Sequence, residues 1–136
     1  MKLGFGGSRP LKDKRIFDLI AAEIDKYQPD TVVTHAEPEG PCRVAQKVCK
    51  QKAVPLKVHF LNREKYAKGA WHHRSLHVMQ DCDHYIFIHD GKSKGTANEI
   101  KLAEKHGKPY TYHLFDDGDD GYFDIDNNEL EARIIR

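Results

Sequence analysis

Cysteine is scarce in this chain: Cys42, Cys49 and Cys82 are the only three among 136 residues. An odd, sparse count gives no disulfide framework and points to a reducing cytoplasm. No apolar run approaches the length that spans a bilayer, which excludes a helical membrane protein. The opening Met1-Lys-Leu-Gly-Phe-Gly-Gly7 has no apolar h-region, so no secretory signal is expected. Several motifs are missing. Gly91-Lys92-Ser93 resembles the end of a phosphate-binding P-loop, but that loop needs a glycine where Ile86 stands. Gly4, Gly6 and Gly7 do not make G-x-G-x-x-G, so NAD is not expected. Neither C-x-x-C nor H-E-x-x-H occurs. His73 and His77, with Cys82 and His84 beyond them, are therefore read as surface or pocket groups, and no metal is expected. Asp116 to Gly121 begins like a calcium loop but carries Gly118 and Asn127 at ligand positions.

Charge is plentiful but uneven. Residues 116–136 carry a net charge of −6 and the remainder +7. A basic body suits an anionic ligand. The acidic end and the few aromatics free for stacking count against nucleic acid as a partner. The chain is long enough for one core, so we expect one domain over 1–115 and an acidic extension over 116–136, with Asp116 to Asn128 a solvated linker. Leu130, Ile134 and Ile135 are apolar and suit a short docked helix or strand.

Strands and helices alternate. Lys2–Phe5, Thr31–Thr34, Leu56–Phe60, Tyr85–Ile88 and Pro109–Leu114 read as strands. Lys12–Tyr27, Cys42–Ala53, Trp71–Met79 and Ala97–His106 read as helices, with Leu61–Gly69 irregular and Leu76 and Met79 facing inward. Pro41 suits a helix start and Gly107 a helix end. The cysteines of the second helix read as core fillers. This pattern predicts an α/β fold: a parallel sheet of about five strands, order 3-2-1-4-5, with helices on both faces. Ligands of such sheets bind beyond the strand ends at the switch point. Two glycine-rich loops belong there: Gly6-Gly7-Ser8-Arg9 after the first strand and Asp90 to Gly95 after the fourth. Ser8 and Arg9 supply a hydroxyl and a fixed positive fork. Thr96 reads as the N-cap of the next helix, with Glu99 at capping-box spacing. A strand running through such a loop into a helix N-terminus suits an anion.

These residues resemble the SLOG superfamily (SMF/DprA and Lonely Guy), most closely its YspA and YpsA-related branch, over roughly residues 2–113. The points of resemblance are Gly6-Gly7-Ser8-Arg9, Thr34-His35 followed by Gly40, the helix centred on Arg74, and Asp90-Gly91-Lys92-Ser93-Lys94-Gly95-Thr96 with Glu99. The resemblance implies a Rossmann-like three-layer sandwich that binds a nucleotide or nucleotide derivative, with a homodimer as the assembly and no cofactor. Lonely Guy enzymes cleave the N-glycosidic bond of nucleoside monophosphates. Gly95, Thr96, Glu99 and Arg74 match their motif, while Asp90 to Lys94 replace its Pro-Gly-Gly, and His72-His73-Arg74-Ser75-Leu76 departs from the branch's usual helix. The resemblance thus implies Glu99 and Arg74 as catalytic residues. It places Gly7, Ser8, Arg9, His35, Gly40, Asp90, Gly91, Lys92, Ser93, Gly95 and Thr96 around the ligand, with Asp90 on the ribose. Two other functions fit the same residues: a sensor that binds a nucleotide without turnover, and, more remotely, a single-stranded nucleic-acid binder.

Overall fold

The computed structural model describes residues 1–11, 14–115 and 134–135. Five parallel strands form its centre: β1 (Lys2–Gly7), β2 (Thr31–His35), β3 (Leu56–His59), β4 (His84–His89) and β5 (Tyr110–Leu114). Their order is β3-β2-β1-β4-β5, and a short β6 (Ile134–Ile135) pairs antiparallel with β5. The parallel order is the one expected, and β6 adds an edge. Leu130 and the acidic 116–133 stretch, with the expected domain boundary, lie outside the described residues.

Alternation along the strands builds two cores. Leu3, Phe5, Val32, Ile86 and Ile88 face α1 (Arg15–Tyr27) and α2 (Gly40–Lys52). Val33, Tyr85 and Phe87 face α4 (Ala70–Asp81) and α5 (Lys94–Lys105), which contribute Val78, Met79 and Ala103. Each fully buried aliphatic side chain contributes about 1.5–3 kcal/mol. The glycines of β1 make room for the second core. A Cβ on Gly6 would sit 2.7 Å from the Tyr85 hydroxyl, and one on Gly4 would sit 2.7 Å from Cys82 Sγ. Among the described residues no helix is long and apolar enough to cross a membrane.

Helix ends follow local chemistry. Helix α1 closes on Gln28 in the left-handed region, just before Pro29. Helix α5 closes through Gly107 (φ 66°), with Gly107 N–H donating to Glu104 O at 3.1 Å and Lys108 N–H to Ala103 O at 2.9 Å. That pair of bonds is a Schellman motif. Two expectations need correction. Helix α5 starts at Lys94 behind an extended Ser93, not behind Thr96, so Thr96 and Glu99 form no capping box and their side chains turn to the cleft described below. Residues 61–69 are not irregular throughout: α3 (Arg63–Tyr66) and a 3-10 turn over Ala67–Gly69 lie there, with Asn62 Oδ1 accepting from Lys65 N–H at 3.0 Å. Leu76 and Met79 face inward as expected: Met79 is buried, and the half-buried Leu76 packs against the same core beside Val78.

One ion cluster ties three elements together at the sheet's N-terminal edge. Asp81, at the end of α4, meets Lys57 at 2.7 Å, His59 at 3.0 Å and Lys2 at 3.1 Å. Burial works against the charge of Asp81, but these three donors outweigh it and hold the carboxyl below its usual range. A depressed carboxylate stabilises the fold above its unfolded value and loses that contribution as pH falls. Asp81→Asn should therefore cost about 1 kcal/mol at pH 7, since both lysines are half-exposed. The deficit should shrink below about pH 4, as urea melts of both proteins at pH 7 and pH 3 would show.

Candidate functional site

Strands β1 and β4 are neighbours, with Gly7 in register with Ile88. The chain leaves β1 toward α1 on one face and β4 toward α5 on the other, so a cleft opens between their C-terminal ends. Ser8 joins the two loops. Its N–H donates to Ile88 O at 2.9 Å, and its Oγ accepts from Asp90 N–H at 3.0 Å. The same Oγ lies 3.1 Å from His89 Nδ1 and 3.3 Å from Thr96 Oγ1. Burial holds His89 below its ordinary value, so its ring is neutral. A Cβ on Gly7 would meet Ile88 O at 2.5 Å, which restricts this junction to glycine.

Asp90 shapes its own loop. Oδ1 accepts from Lys92 N–H and Ser93 N–H, each at 2.8 Å, and Oδ2 accepts from Ser93 Oγ at 3.0 Å. Burial disfavours its charge, but these donors keep Asp90 below the usual carboxylate range. The loop then delivers the first turn of α5, where the N–H groups of Lys94, Gly95 and Thr96 have no intrahelical acceptor.

The opposite wall comes from β2, α2 and α4. His35 ends β2, and Gln46 Nε2 pins the loop behind it by donating to His35 O at 3.1 Å and Glu37 O at 3.2 Å. His35 Nε2 lies 3.0 Å from Glu99 Oε2, an ion-pair distance, although no acceptor is aligned for a hydrogen bond from that nitrogen. Tyr85 OH donates to the same Glu99 oxygen at 3.0 Å. For Glu99 burial raises the carboxyl, and the His35 charge, Tyr85 and Ser75 more than offset it, leaving it below the ordinary value. For His35 burial lowers the imidazole, and Glu99 and Cys42 more than offset it, lifting it to about 10. The pair is charged at neutral pH.

Arg74 reaches in from α4, 6% exposed, and donates from Nη2 to Glu37 Oε1, while its Nε has no partner. Arg9 Nε is 4.0 Å from Glu37 Oε2. Both guanidiniums lie against Trp71, with Arg74 Cζ 4.9 Å and Arg9 Cζ 5.6 Å from the ring centroid. Trp71 is nonetheless 44% exposed. The enclosed volume is about 580 Å³, the size of a small-molecule site.

Gly7, Ser8, Arg9, His35, Arg74, Ser93, Gly95, Thr96 and Glu99 all line this cleft. Gly40, Asp90, Gly91 and Lys92 do not. Gly40 (φ 78°) starts α2, where a Cβ would sit 2.7 Å from Arg9 Cα. Gly40→Ala should therefore displace the Arg9 loop and cost about 1–3 kcal/mol from the positive φ alone, measurable as a fall in Tm. Glu37, Cys42, Trp71 and Ser75 also line the cleft without having been singled out for it. Trp71 carried a signal: it lies three residues before Arg74 on one helix, so both share a face. Cys42 is buried, as expected of a core filler, and its side chain also borders the cleft. The histidines of α4 lie elsewhere. His73 stacks on Tyr66 at 3.9 Å and His77 lies 6.2 Å beyond. Among the described residues no three His, Cys, Asp or Glu side chains converge to hold a metal ion.

A scan against family models, a search of curated proteins and a search of solved structures each return no match.

Proposed function

We propose that this chain is a SLOG-type protein that binds a nucleotide or nucleotide-derived ligand in the cleft between β1 and β4 and hydrolyses its N-glycosidic bond. The observation that carries this reading is the meeting of Ser8 and Thr96, 3.3 Å apart, at the open first turn of α5. Hydroxyls and unpaired N–H groups there suit a phosphate. Arg74 and Arg9 supply positive charge, and the exposed Trp71 face suits a base. Glu99 sits one turn further along α5. Cleavage of an N-glycoside builds positive charge on the sugar, and an ionised carboxylate stabilises it or activates water. Glu99 is half-buried, ionised and fixed by His35 and Tyr85.

One observation favours a second reading, a sensor without turnover. Glu99 and Arg74 are both already engaged, with His35 and Glu37 respectively. One incubation separates the two. The purified protein is mixed with nucleoside monophosphates and with NAD- and ADP-ribose-type compounds, and chromatography reads released base. Release supports the enzyme. A raised melting temperature without release supports the sensor, and neither result overturns both. For any ligand that binds, Arg74→Ala should raise Kd by about tenfold or more, as loss of a charge-assisted contact costs roughly 1.5–3 kcal/mol. Calorimetric titration would check this.

A further inference from the structure

The three cysteines fall into two environments. Cys49 and Cys82 are packed into the two cores, and burial pushes their thiols up, to about 11 and about 12. Cys42 borders the cleft on the first turn of α2, at the positive end of that helix. Its Sγ is 3.5 Å from His35 Nδ1 and 3.9 Å from its other polar neighbour, Phe5 O. The same imidazole presents Nε2 to Glu99 at 3.0 Å. His35 is 4% exposed, and that nitrogen has no aligned acceptor within the protein. A thiol, a base on one ring nitrogen and a carboxylate on the other form the arrangement that activates a cysteine nucleophile.

We propose that Cys42 is a nucleophilic thiol, with His35 as its base and Glu99 orienting His35, and that it attacks an electrophilic carbon of a ligand seated in the cleft. In the attacking form the Sγ proton is held on His35 Nδ1, 3.5 Å away. The thiolate gives an electron pair to the carbon, forming a C–S bond. The bond to the leaving group breaks, and that group departs with its electrons and takes the His35 proton. The ligand class is a carbon electrophile with an anionic portion, because Arg9 and Arg74 line the same cleft as the thiol. Glu37, Glu39 and the His35–Glu99 pair are the other charged groups there. This inference rests on the cleft as a ligand site, but on neither the nucleotide nor the glycosidic bond.

Iodoacetamide is the probe, since the thiolate displaces its iodide without any recognition of a ligand. The full chain is treated at pH 6 beside N-acetylcysteine, and peptide mass mapping follows each cysteine. Cys42 should react about tenfold faster than the free thiol, despite its burial, because His35 Nδ1 at 3.5 Å and the start of α2 both favour the attacking sulfur. Cys49 and Cys82 should remain unlabelled. Glu99→Gln and His35→Gln should each slow Cys42 by about tenfold. Glu99→Gln is isosteric and keeps the comparison valid if His35→Gln does not fold. Labelling of Cys42 no faster than N-acetylcysteine, or at an unchanged rate in Glu99→Gln, overturns the proposal. Fast labelling by a protein that releases no base and binds no nucleotide would leave it standing while retiring the nucleotide reading.

Discussion

Glu99→Gln should leave nucleotide binding nearly intact and lower base release by at least about a hundredfold, the scale of a positioned acid–base group. The amide matches the carboxylate in shape and keeps an acceptor for Tyr85, so the pocket wall stays in place. What disappears is the charge that, in the proposed hydrolysis, faces the developing oxocarbenium ion. A second consequence follows at His35. Its elevation to about 10 depends on Glu99 and Cys42 outweighing burial. Without the Glu99 charge, burial regains ground and the imidazole should titrate well below that value, as an NMR titration of His35 would read. The wild-type pair also has a defined pH signature. His35 is raised from 6.5, so its contribution to stability is complete below about 6.5 and fades as pH rises toward 10. Glu99 is lowered from 4.5, so its contribution is complete above about 4.5 and fades in acid. The pair stabilises the fold most between those limits, and Glu99→Gln should flatten that maximum. Unchanged base release in the variant would move catalysis away from Glu99.

The sheet was legible because strand signals are local. Apolar runs such as Tyr85 to Ile88, bounded by turn residues, fix where strands lie, and alternation with helices fixes them as parallel. The two loops could be paired from sequence alone because the switch point follows from strand order. The start of α5 was misplaced for an equally local reason. Thr96 and Glu99 satisfy the capping pattern in sequence, yet the loop fixed by Asp90 starts the helix at Lys94, three residues earlier. Their side chains are then claimed by partners far along the chain: Ser8, 88 residues before Thr96, and His35, 64 before Glu99. Glu37 escaped notice similarly, since its partner Arg74 is 37 residues away. Contacts of this kind depend on the packing of α4 over β2, which no window of the sequence contains. Cys42 is a buried residue like its neighbours Ala45, Val48 and Cys49, and its position on the first turn of α2 also sets it against the cleft, which sequence pattern alone does not show.

Tyr85→Ala should be among the most damaging single changes in the chain, at about 3–5 kcal/mol. Tyr85 is fully buried near the start of β4 and stacks on Phe87 at a centroid distance of 4.2 Å. Its ring occupies the space that Gly6 leaves, so truncation opens a cavity against a strand that has no side chain to fill it. A domain of this size has about 5–15 kcal/mol of stability in total, so the variant should unfold at a guanidinium concentration about 1 M lower or fail to fold. Tyr85→Phe isolates the hydroxyl. It keeps the ring and removes only the donor to Glu99, which should cost about 1 kcal/mol. Burial drives the Tyr85 phenol well above its ordinary range, with Glu99 adding to it, so the hydroxyl keeps its proton and serves only as a donor. Its removal takes away one of the groups that keep Glu99 ionised. Tyr85→Phe should therefore fold, bind nucleotide, and show the acid limb of its pH–rate profile displaced upward. Equal stability losses for the two variants would mean that the hydroxyl, rather than the ring, anchors this part of the sheet. The ring ties the core to the cleft, because the residue that fills the space above β1 is also the one that fixes the Glu99 carboxylate in the cleft wall.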